Sequence, residues 1–411
     1  MNPVTAILIG AGARGQIYAR YAQEHPEELR IMAVAEPKAD RRALMCRAYG
    51  IPADRAFSNW EDLMARPQMA DAALICTLDD MHTEPTLAAL KQGYHVLLEK
   101  PMSNSETECR AIAAAAEEAQ RVLSVCHVLR YTPFYRTIKQ LIDDGQVGEV
   151  ASLSQVENVG YWHHAHSFVR GNWRCSEQTS PMILQKSCHD MDILLWLSGQ
   201  RCTRVSSFGS LHHFDAAHAP QDAPLRCTDG CPHSVVCPYD AGKIYLTDNV
   251  GWPTEMLTTD LSREGRLKAL REGPYGRCVY HCDNDVVDRQ VVNLEFDNGV
   301  ASFTMTAFTT DMARQLKVCG TKGQITADMN ANTVSLHRFG ESGPREITLE
   351  TPPQTNNYGH GGGDYYLMRD FVRAIQSGGD GNLSSARVSL QSHLICFAAE
   401  RSRVERRIVE L

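Results

Sequence analysis

Lys100 is the first residue of this sequence whose surroundings point to chemistry. It belongs to HVLLEKP (95–101), in which the apolar run Val96-Leu97-Leu98 reads as a strand delivering Glu99-Lys100-Pro101 to its C-terminal end. Open α/β sheets bind their ligands at that end. Pro101 has no N–H and disfavours a helical conformation at Lys100, so the strand must stop and the ammonium is held at the sheet's edge. Without the rest of the chain, a solvated Lys-Pro turn is the competing reading.

A second polar group lies in SPMILQKSCHDMDILLWLSG (180–199). Lys186, His189, Asp190 and Ile193 stand at i, i+3, i+4 and i+7, so a helix here puts three polar groups on part of one face. Upstream, Tyr161-Trp162-His163-His164-Ala165-His166 supplies three histidines in four positions, followed by Arg170, Trp173 and Arg174. Neighbouring histidines on a strand point to opposite faces, so at most two converge easily on a metal. Histidines that hydrogen-bond sugar hydroxyls, with tryptophan as a stacking surface, suit the same residues better. Arg170 and Arg174 can clamp a carboxylate, phosphate or sulfonate, or pair with local acids such as Glu177. His360 and Asp364 in GHGGGD are further candidates, because consecutive glycines let backbone approach a bound ring.

Cys227-x3-Cys231-x5-Cys237-Pro and the later Cys278-x3-Cys282 place five of the fourteen cysteines in an apparent insertion at about residues 215–285. The insertion has few long apolar runs, and a region so short of core is one that thiolate-bound zinc can fold. Cys227, Cys231 and Cys237 with Cys278 or Cys282 are the expected ligands of a structural zinc, with His233 and His281 as alternatives. Buried thiols, an iron–sulfur centre and disulfides compete with that expectation.

Several elements must position these residues. VTAILI (4–9) reads as a buried parallel strand and runs into Gly10-Ala11-Gly12-Ala13-Arg14-Gly15 and the helical QIYARYAQEH. Strand, GxGxxG and helix together make a dinucleotide fingerprint: a tight turn at Gly10, close approach of a pyrophosphate at Gly12, and helix packing at Gly15. RIMAVAE (30–36) ends in Glu36, 21 residues after Gly15, where an acid accepts ribose hydroxyls and favours NAD over NADP; Arg41 and Arg42 follow and weaken that preference. DAALICT (71–77), a loop with His82, a helix, the Lys100 strand, a helix at 105–120 and RVLSVCH (121–127) complete a doubly wound sheet. Beyond about residue 128, alternating runs such as EVASLSQVENVGYW and hairpin turns at Asp297-Asn298-Gly299 and near Lys322-Gly323 indicate long antiparallel strands, which can form an oligomer face. GHGGGDYYLMRDFVRAIQSG reads as a glycine loop and an amphipathic helix that lies back across the cleft.

GAGARG, Glu36, ICTLDDMHTEPTLAALKQGYHVLLEKP and VCHVLRYTPFYRTIKQLIDDGQVGEV together resemble the Gfo/Idh/MocA family, named for glucose–fructose oxidoreductase, inositol dehydrogenase and a rhizopine-catabolism protein. The resemblance implies an α/β protein. An NAD(P)-binding Rossmann domain (1–128) would precede an α/β domain (129–411) on a large, mostly antiparallel sheet that binds substrate and forms the oligomer. It implies pyridine-nucleotide chemistry on a sugar, sugar acid or cyclitol in a homodimer or homotetramer. Gly10, Gly12, Ala13, Arg14, Gly15, Glu36, Thr77, His82, Glu99 and Lys100 are the expected cofactor residues. By the same match His189 corresponds to the family's catalytic histidine. Many members carry an aspartate four residues earlier, where this chain has Gln185, which cannot exchange a proton.

A hydroxyl being oxidised must lose its proton, and a lysine serves as that base when burial and neighbouring cations lower its pKa. Lys100 is the expected base, His189 its partner at the same oxygen, and Lys186 either a second ammonium assisting them or a structural partner of Asp190 or Asp192. Tyr161, His163, His166, Arg170, Trp173, Arg174, Asp190 and His360 are the expected substrate residues, and the arginines suit an anionic sugar. Two other readings remain: a glycosidase that retains its NAD and works by oxidation, elimination and re-reduction, and a non-enzymatic nucleotide-binding sensor. A formal charge of −8 and a pI near 6.1 leave no basic footprint for nucleic acid or an anionic membrane. The N-terminal MNPVTAILIGAG lacks a basic leader region, and cysteines scattered through apolar segments suit a reducing cytoplasm.

Overall fold

A computed structural model of the chain describes residues 2–349 and 358–411. The first half alternates strand and helix: β1 (Val4–Ile9), α1 (Ala13–Glu24), β2 (Leu29–Ala35), α2 (Ala39–Tyr49), β3 (Ala56–Phe57), α3 (Trp60–Met64), β4 (Ala72–Ile75), α4 (Thr83–Lys91), β5 (His95–Leu98), α5 (Glu106–Ala119) and β6 (Leu123–Val125). The strands pair in parallel in the order β3-β2-β1-β4-β5-β6. Both faces of such a sheet are covered by helices, so its strands are near-continuous apolar runs. VTAILI and AALI are buried accordingly. The order reverses between β1 and β4, and that switch point opens the crevice in which doubly wound sheets bind ligands.

After α6 (Pro133–Asp143), started by Thr132 accepting the Tyr135 N–H and by Pro133 in the first turn, the pattern changes to alternation. β7 (Val150–Asn158) is followed by the short α7 (Tyr161–His164), a π-helical turn at Ala165–Arg170, α8 (Met182–Gln185), α9 (Cys188–Ser198) and β8 (Cys202–Ser210). The insertion then contributes α10 (Ala241–Tyr245) and α11 (Arg263–Glu272) before the hairpins β9 (Arg289–Phe296), β10 (Gly299–Thr306), β11 (Ala313–Gly320), β12 (Gly323–Asp328), β13 (Thr333–Arg338) and β14 (Arg345–Ile347). α12 (Gly363–Ser377), α13 (Ala386–Glu405) and β15 (Val409–Glu410) end the chain. The second sheet has nine strands, ordered β14-β13-β12-β11-β7-β10-β9-β8-β15, and is antiparallel except for the β7–β10 pair. One face is buried under α9 and α13. The other carries the outward residues of each alternation.

α12 returns to the first sheet. Its Leu367, Met368, Phe371 and Val372 share a buried cluster with Val4, Ala6 and Leu8 of β1 and Tyr18 of α1. The last third of the chain thus completes the apolar layer beneath the glycine loop and brings Gly359–Gly363 to the cleft. Among the described residues no helix is long and apolar enough to cross a membrane.

Candidate active site

The glycine loop fits a dinucleotide. Gly10 has φ +90, and a Cβ there would stand 2.5 Å from the Cys76 carbonyl at the end of β4. A Cβ on Gly15 would lie 2.1 Å from the Gly10 carbonyl, so only glycine lets α1 pack this close to its own loop. Gly12 has open space above it, with Arg41 Nη1 the nearest atom at 3.8 Å. Free N–H groups at the start of α1 beside an open glycine are what a pyrophosphate requires. Glu36 is buried at the end of β2, its Oε2 accepting the Ala11 N–H at 2.7 Å and its Oε1 the Lys38 N–H at 2.9 Å. Thr77 and His82 order the loop after β4: Thr77 Oγ1 donates to the Met81 carbonyl, and the His82 ring lies between the carbonyls of Pro101 (2.7 Å) and Thr77 (3.2 Å).

Arg14 is tied into the protein. Its Nε donates to Glu99 at 2.6 Å and its Nη2 to Asp364 at 2.5 Å, while Tyr18 donates to the same Glu99 oxygen at 2.7 Å. Glu99 Oε2 accepts the Lys100 N–H at 2.7 Å. The Arg14 guanidinium and Lys100 hold the Glu99 carboxyl low against the opposite pull of burial, which is the largest effect. One cation therefore locks α1, the end of β5 and the start of α12 together.

Lys100 Nζ donates to the Gln185 carbonyl at 2.6 Å, crossing from β5 to the end of α8. Close by, Asp79 accepts from Ser180 Oγ at 2.9 Å and Trp173 Nε1 at 3.2 Å. Burial raises the Asp79 carboxyl, opposed by His82 and Lys100. His189 sits in the first turn of α9, buried, with Nδ1 lacking a partner. Burial pushes its imidazole well below the usual range, and Lys100 is the strongest of the charges that push it further, followed by His360 and His127. The rings of His360 and His127 each lie 5.8 Å from that of His189. His360 Nδ1 donates to Asp364 Oδ2 at 3.2 Å.

The single helical face expected across residues 180–199 is interrupted. α8 stops at Gln185 and α9 starts at Cys188. Lys186, in the break, points its Nζ to Glu157 Oε1 of β7 at 3.1 Å rather than to Asp190 or Asp192. Asp190 instead binds Arg314 Nε of β11 at 2.8 Å and Gln155 Nε2 at 2.5 Å; Glu157 also meets Arg314, at 2.9 Å. Asp192 is held by Arg130 at 2.6 and 2.8 Å. Burial lowers the Lys186 ammonium and Glu157 opposes it. These paired charges bolt α9 to the sheet.

Residues 4–127 match a family described as an oxidoreductase family with an NAD-binding Rossmann fold, and residues 139–411 match the C-terminal alpha/beta domain of the same family. The chain belongs to the Gfo/Idh/MocA oxidoreductase family. The Bacillus subtilis protein YteT is 25% identical over 334 residues, 75% of this chain and 73% of its own. An inositol 2-dehydrogenase of Corynebacterium glutamicum is 28% identical over 199 residues, 48% of this chain, and the match spans 55% of that enzyme. A levoglucosan dehydrogenase solved with NADH and levoglucosan superposes with TM-score 0.74 at 19% identity, covering 100% of this chain and 99% of that one. An oxidoreductase domain protein from Kribbella flavida gives TM-score 0.73 at 21% identity over 100% and 99% of the two chains. At these identities the solved structures establish the shared fold.

On this Gfo/Idh/MocA scaffold several expected substrate residues stand elsewhere than the sequence suggests. Residues 161–170 are helical: the strand expected over 149–162 stops at Asn158, and the histidines expected on a loop lie on α7 and the π-helical turn. His164 is packed between Phe168 and Phe214 at 5.6 and 5.2 Å, with neither ring nitrogen hydrogen-bonded. His166 Nδ1 bonds the Tyr245 hydroxyl at 2.8 Å, and its ring stacks on Tyr275 at 4.7 Å. Both arginines expected to meet an anion are engaged within the protein. Arg170 is fully buried, donating to the carbonyls of Arg277 and Tyr239 at 2.7 Å each, and Arg174 is paired with Asp283 at 2.7 and 3.0 Å. Asp283 lies 109 residues from Arg174, beyond the reach of a local reading that proposed Glu177. Asp79, Glu157 and Arg314 escaped the sequence reading; the first, in Leu78-Asp79-Asp80 just past β4, had the signal of an acid at a strand's C-terminal end.

The zinc expectation is corrected as well. Among the described residues no three His, Cys, Asp or Glu side chains are placed to hold a metal ion. Cys227, Cys231, Cys237 and Cys278 do line one cavity of about 20 Å³, with Arg170 in its wall. All fourteen cysteines are free. Burial pushes the Cys278 thiol up to about 11 and raises that of Cys237. The insertion is held by other means. Phe214, Tyr239, Val279 and Tyr280 form a small core with Ala165 and Val169; Arg170, Arg226 and Arg266 donate to backbone carbonyls across it.

Proposed function

We propose that this protein is an NAD-dependent dehydrogenase of a sugar, sugar acid or cyclitol, in which a bound nicotinamide exchanges hydride with the reacting carbinol carbon. The observation that carries this reading is that Lys100, from the end of β5, donates to the carbonyl of Gln185, at the end of the short helix that leads into His189 in the first turn of α9, beside an open glycine loop. Gly10, Gly12 and Gly15 with the N-terminus of α1 would receive the pyrophosphate, and Glu36 the adenosine ribose, which favours NAD over NADP. Inositol 2-dehydrogenases among the relatives and NADH in a structural neighbour support the same chemistry.

Lys100 takes the proton of the reacting hydroxyl on oxidation and returns it on reduction. Its Nζ is aimed by the Gln185 carbonyl, and the Asp79 carboxyl lies near enough to answer its charge. His189, kept neutral by burial and by Lys100, hydrogen-bonds the same oxygen. His360, oriented through Nδ1 by Asp364, presents Nε2 to carry the proton onward. Lys186 has a positioning role, holding α9 through Glu157. Incubation with NAD and a panel of hexoses, uronic acids and inositols is expected to produce NADH with at least one compound. Aglycone release from aryl glycosides without net NADH would select the NAD-retaining glycosidase instead.

We further propose a homo-oligomer joined through the outer face of the nine-stranded sheet. Phe208, Val300 and Ile408 leave 69%, 54% and 58% of their surface open there, more apolar exposure than a solvent-facing sheet requires. The free cysteines suit a reducing cytoplasm.

A further inference from the structure

Most buried acids around the catalytic pair are matched to fixed cations. Glu99 and Asp364 share Arg14 at 2.6 and 2.5 Å, and Asp192 meets Arg130 at 2.6 Å. Asp190 meets Arg314 at 2.8 Å, and Glu157 meets Arg314 and Lys186 at 2.9 and 3.1 Å. Asp79 departs from this pattern. It is 4% exposed, yet among the described residues its two hydrogen-bond donors are neutral: Trp173 Nε1 on Oδ1 at 3.2 Å and Ser180 Oγ on Oδ2 at 2.9 Å. Lys100 departs in the opposite sense, since its ammonium donates to the neutral carbonyl of Gln185 at 2.6 Å. A carboxylate buried away from any cation is strongly unfavourable, so the unmatched acid and the unmatched base call for one another.

The fold puts the two together. β4 and β5 are parallel neighbours with Ile75 opposite Leu98, so Asp79 and Lys100 leave adjacent strand ends on the same edge of the sheet. His82 ties the two exits, its ring lying between the carbonyls of Thr77 at 3.2 Å and Pro101 at 2.7 Å. Both groups then reach the same short segment of the second domain. Ser180, which donates to Asp79, and Gln185, which receives Lys100, stand at the two ends of the turn that forms α8. Asn104 adds a third tie through the Thr179 carbonyl at 2.6 Å.

The other groups that face Lys100 bring it little negative charge. Glu99 precedes it in the chain, but Arg14 already holds that carboxylate. The end of β6, α9 and α13 present the imidazoles of His127, His189 and His393, all pushed down by burial and neutral at pH 7. α9 also presents Cys188, whose thiol burial pushes up to about 12. Burial raises the Asp79 carboxyl, and His82 and Lys100 are the charges that oppose it.

We propose that Asp79 is the positioning carboxylate of Lys100, the fixed negative charge against which that lysine gains and gives up its proton. The inference deepens the dehydrogenase reading above and rests on it for what Lys100 does. As the reacting hydroxyl loses its O–H proton to Lys100 Nζ, the amine becomes an ammonium, and a carboxylate beside it stabilises the charge that has formed. Asp79 acts in this role through Lys100.

NMR of the lysine Nζ nitrogens in the full-length, cofactor-free protein reads the pairing without turnover, with the Lys100 signal identified by its loss in Lys100→Met. In Asp79→Asn the Lys100 pKa is expected to fall by about one unit or more, and in Asp79→Glu, which keeps the charge, to stay near its native value. The coupling must also be visible from the other end. In Lys100→Met the Asp79 carboxyl, followed by NMR of labelled aspartate and identified by its loss in Asp79→Glu, should titrate higher by a similar interval. That measurement does not depend on how Asp79→Asn folds. With a sugar that is turned over, the limb on which kcat for oxidation rises with pH should move down by the same interval in Asp79→Asn and stay in place in Asp79→Glu. A Lys100 signal that titrates at its native pH in Asp79→Asn, or an Asp79 carboxyl indifferent to Lys100→Met, would overturn the pairing and leave the dehydrogenase reading in place. Both shifts in a protein that forms NADH with no sugar would uphold the pairing and remove that reading.

Discussion

His360 adopts φ +55, a left-handed conformation that a residue with a Cβ takes at a cost of roughly 1 kcal/mol. Its ring meets both Asp364 and the neighbourhood of His189, and strain of this kind persists where function requires the side chain. His360→Gly relieves the strain while adding unfolded-state entropy of about the same size, so thermal melting is expected to stay level while kcat falls roughly 10²-fold or more. A lowered Tm with unchanged kcat would make His360 a structural residue. Four other histidines set the acid limit of the fold. Burial pushes His127 to about 4 and His164, His166 and His393 to about 3, all below the ordinary value near 6.5. Their folded forms bind a proton less readily than the unfolded chain, so the stability they contribute is complete above pH ~6.5 and is lost as pH falls toward their folded values. Melting curves at pH 7 and pH 5 should show a drop on the order of 1 kcal/mol per histidine per pH unit; a level Tm across that range would contradict their neutral burial.

The glycine loop and the strand-end lysine were legible because their constraint is local. Gly15 is required by a carbonyl five residues earlier, and Gly15→Ala, with its Cβ 2.1 Å from Gly10 O, is expected to displace the loop and abolish NAD binding in calorimetry. Intact affinity would show that the loop is not the cofactor site. The second set of elements was harder to read. The helical pattern of residues 180–199 concealed the break at Lys186, where the side chain pairs with Glu157 on β7, a partner that local periodicity does not reveal. The alternating pattern read through Trp162 gave no warning that the strand would stop at Asn158 and Tyr161–Arg170 would be helical, since those residues pack against the distant aromatic cover of the insertion. The surroundings of Arg170 and of the cysteines were hidden for a related reason. Their partners are backbone carbonyls and buried aromatic rings, which leave no pattern of residue types in the sequence.

At the level of the molecule, the two sheets divide the work. The parallel sheet presents the glycine loop, Glu36 and Lys100 at its C-terminal edge, and the antiparallel sheet carries α9 with His189 on its covered face. Its uncovered face predicts assembly: the native chain should elute in light-scattering chromatography at twice or four times the monomer mass, and Phe208→Lys with Val300→Lys should shift it to monomer. A monomeric native chain would refute that face as an interface.

The most direct test of the whole account measures NAD affinity and turnover together in Lys100→Met. The variant is predicted to bind NAD nearly as the native protein does and to lose sugar oxidation by roughly 10²–10⁴-fold. Native turnover in that variant would contradict the assignment of the base and, with it, the meeting of amine and imidazole on which the proposed reaction depends.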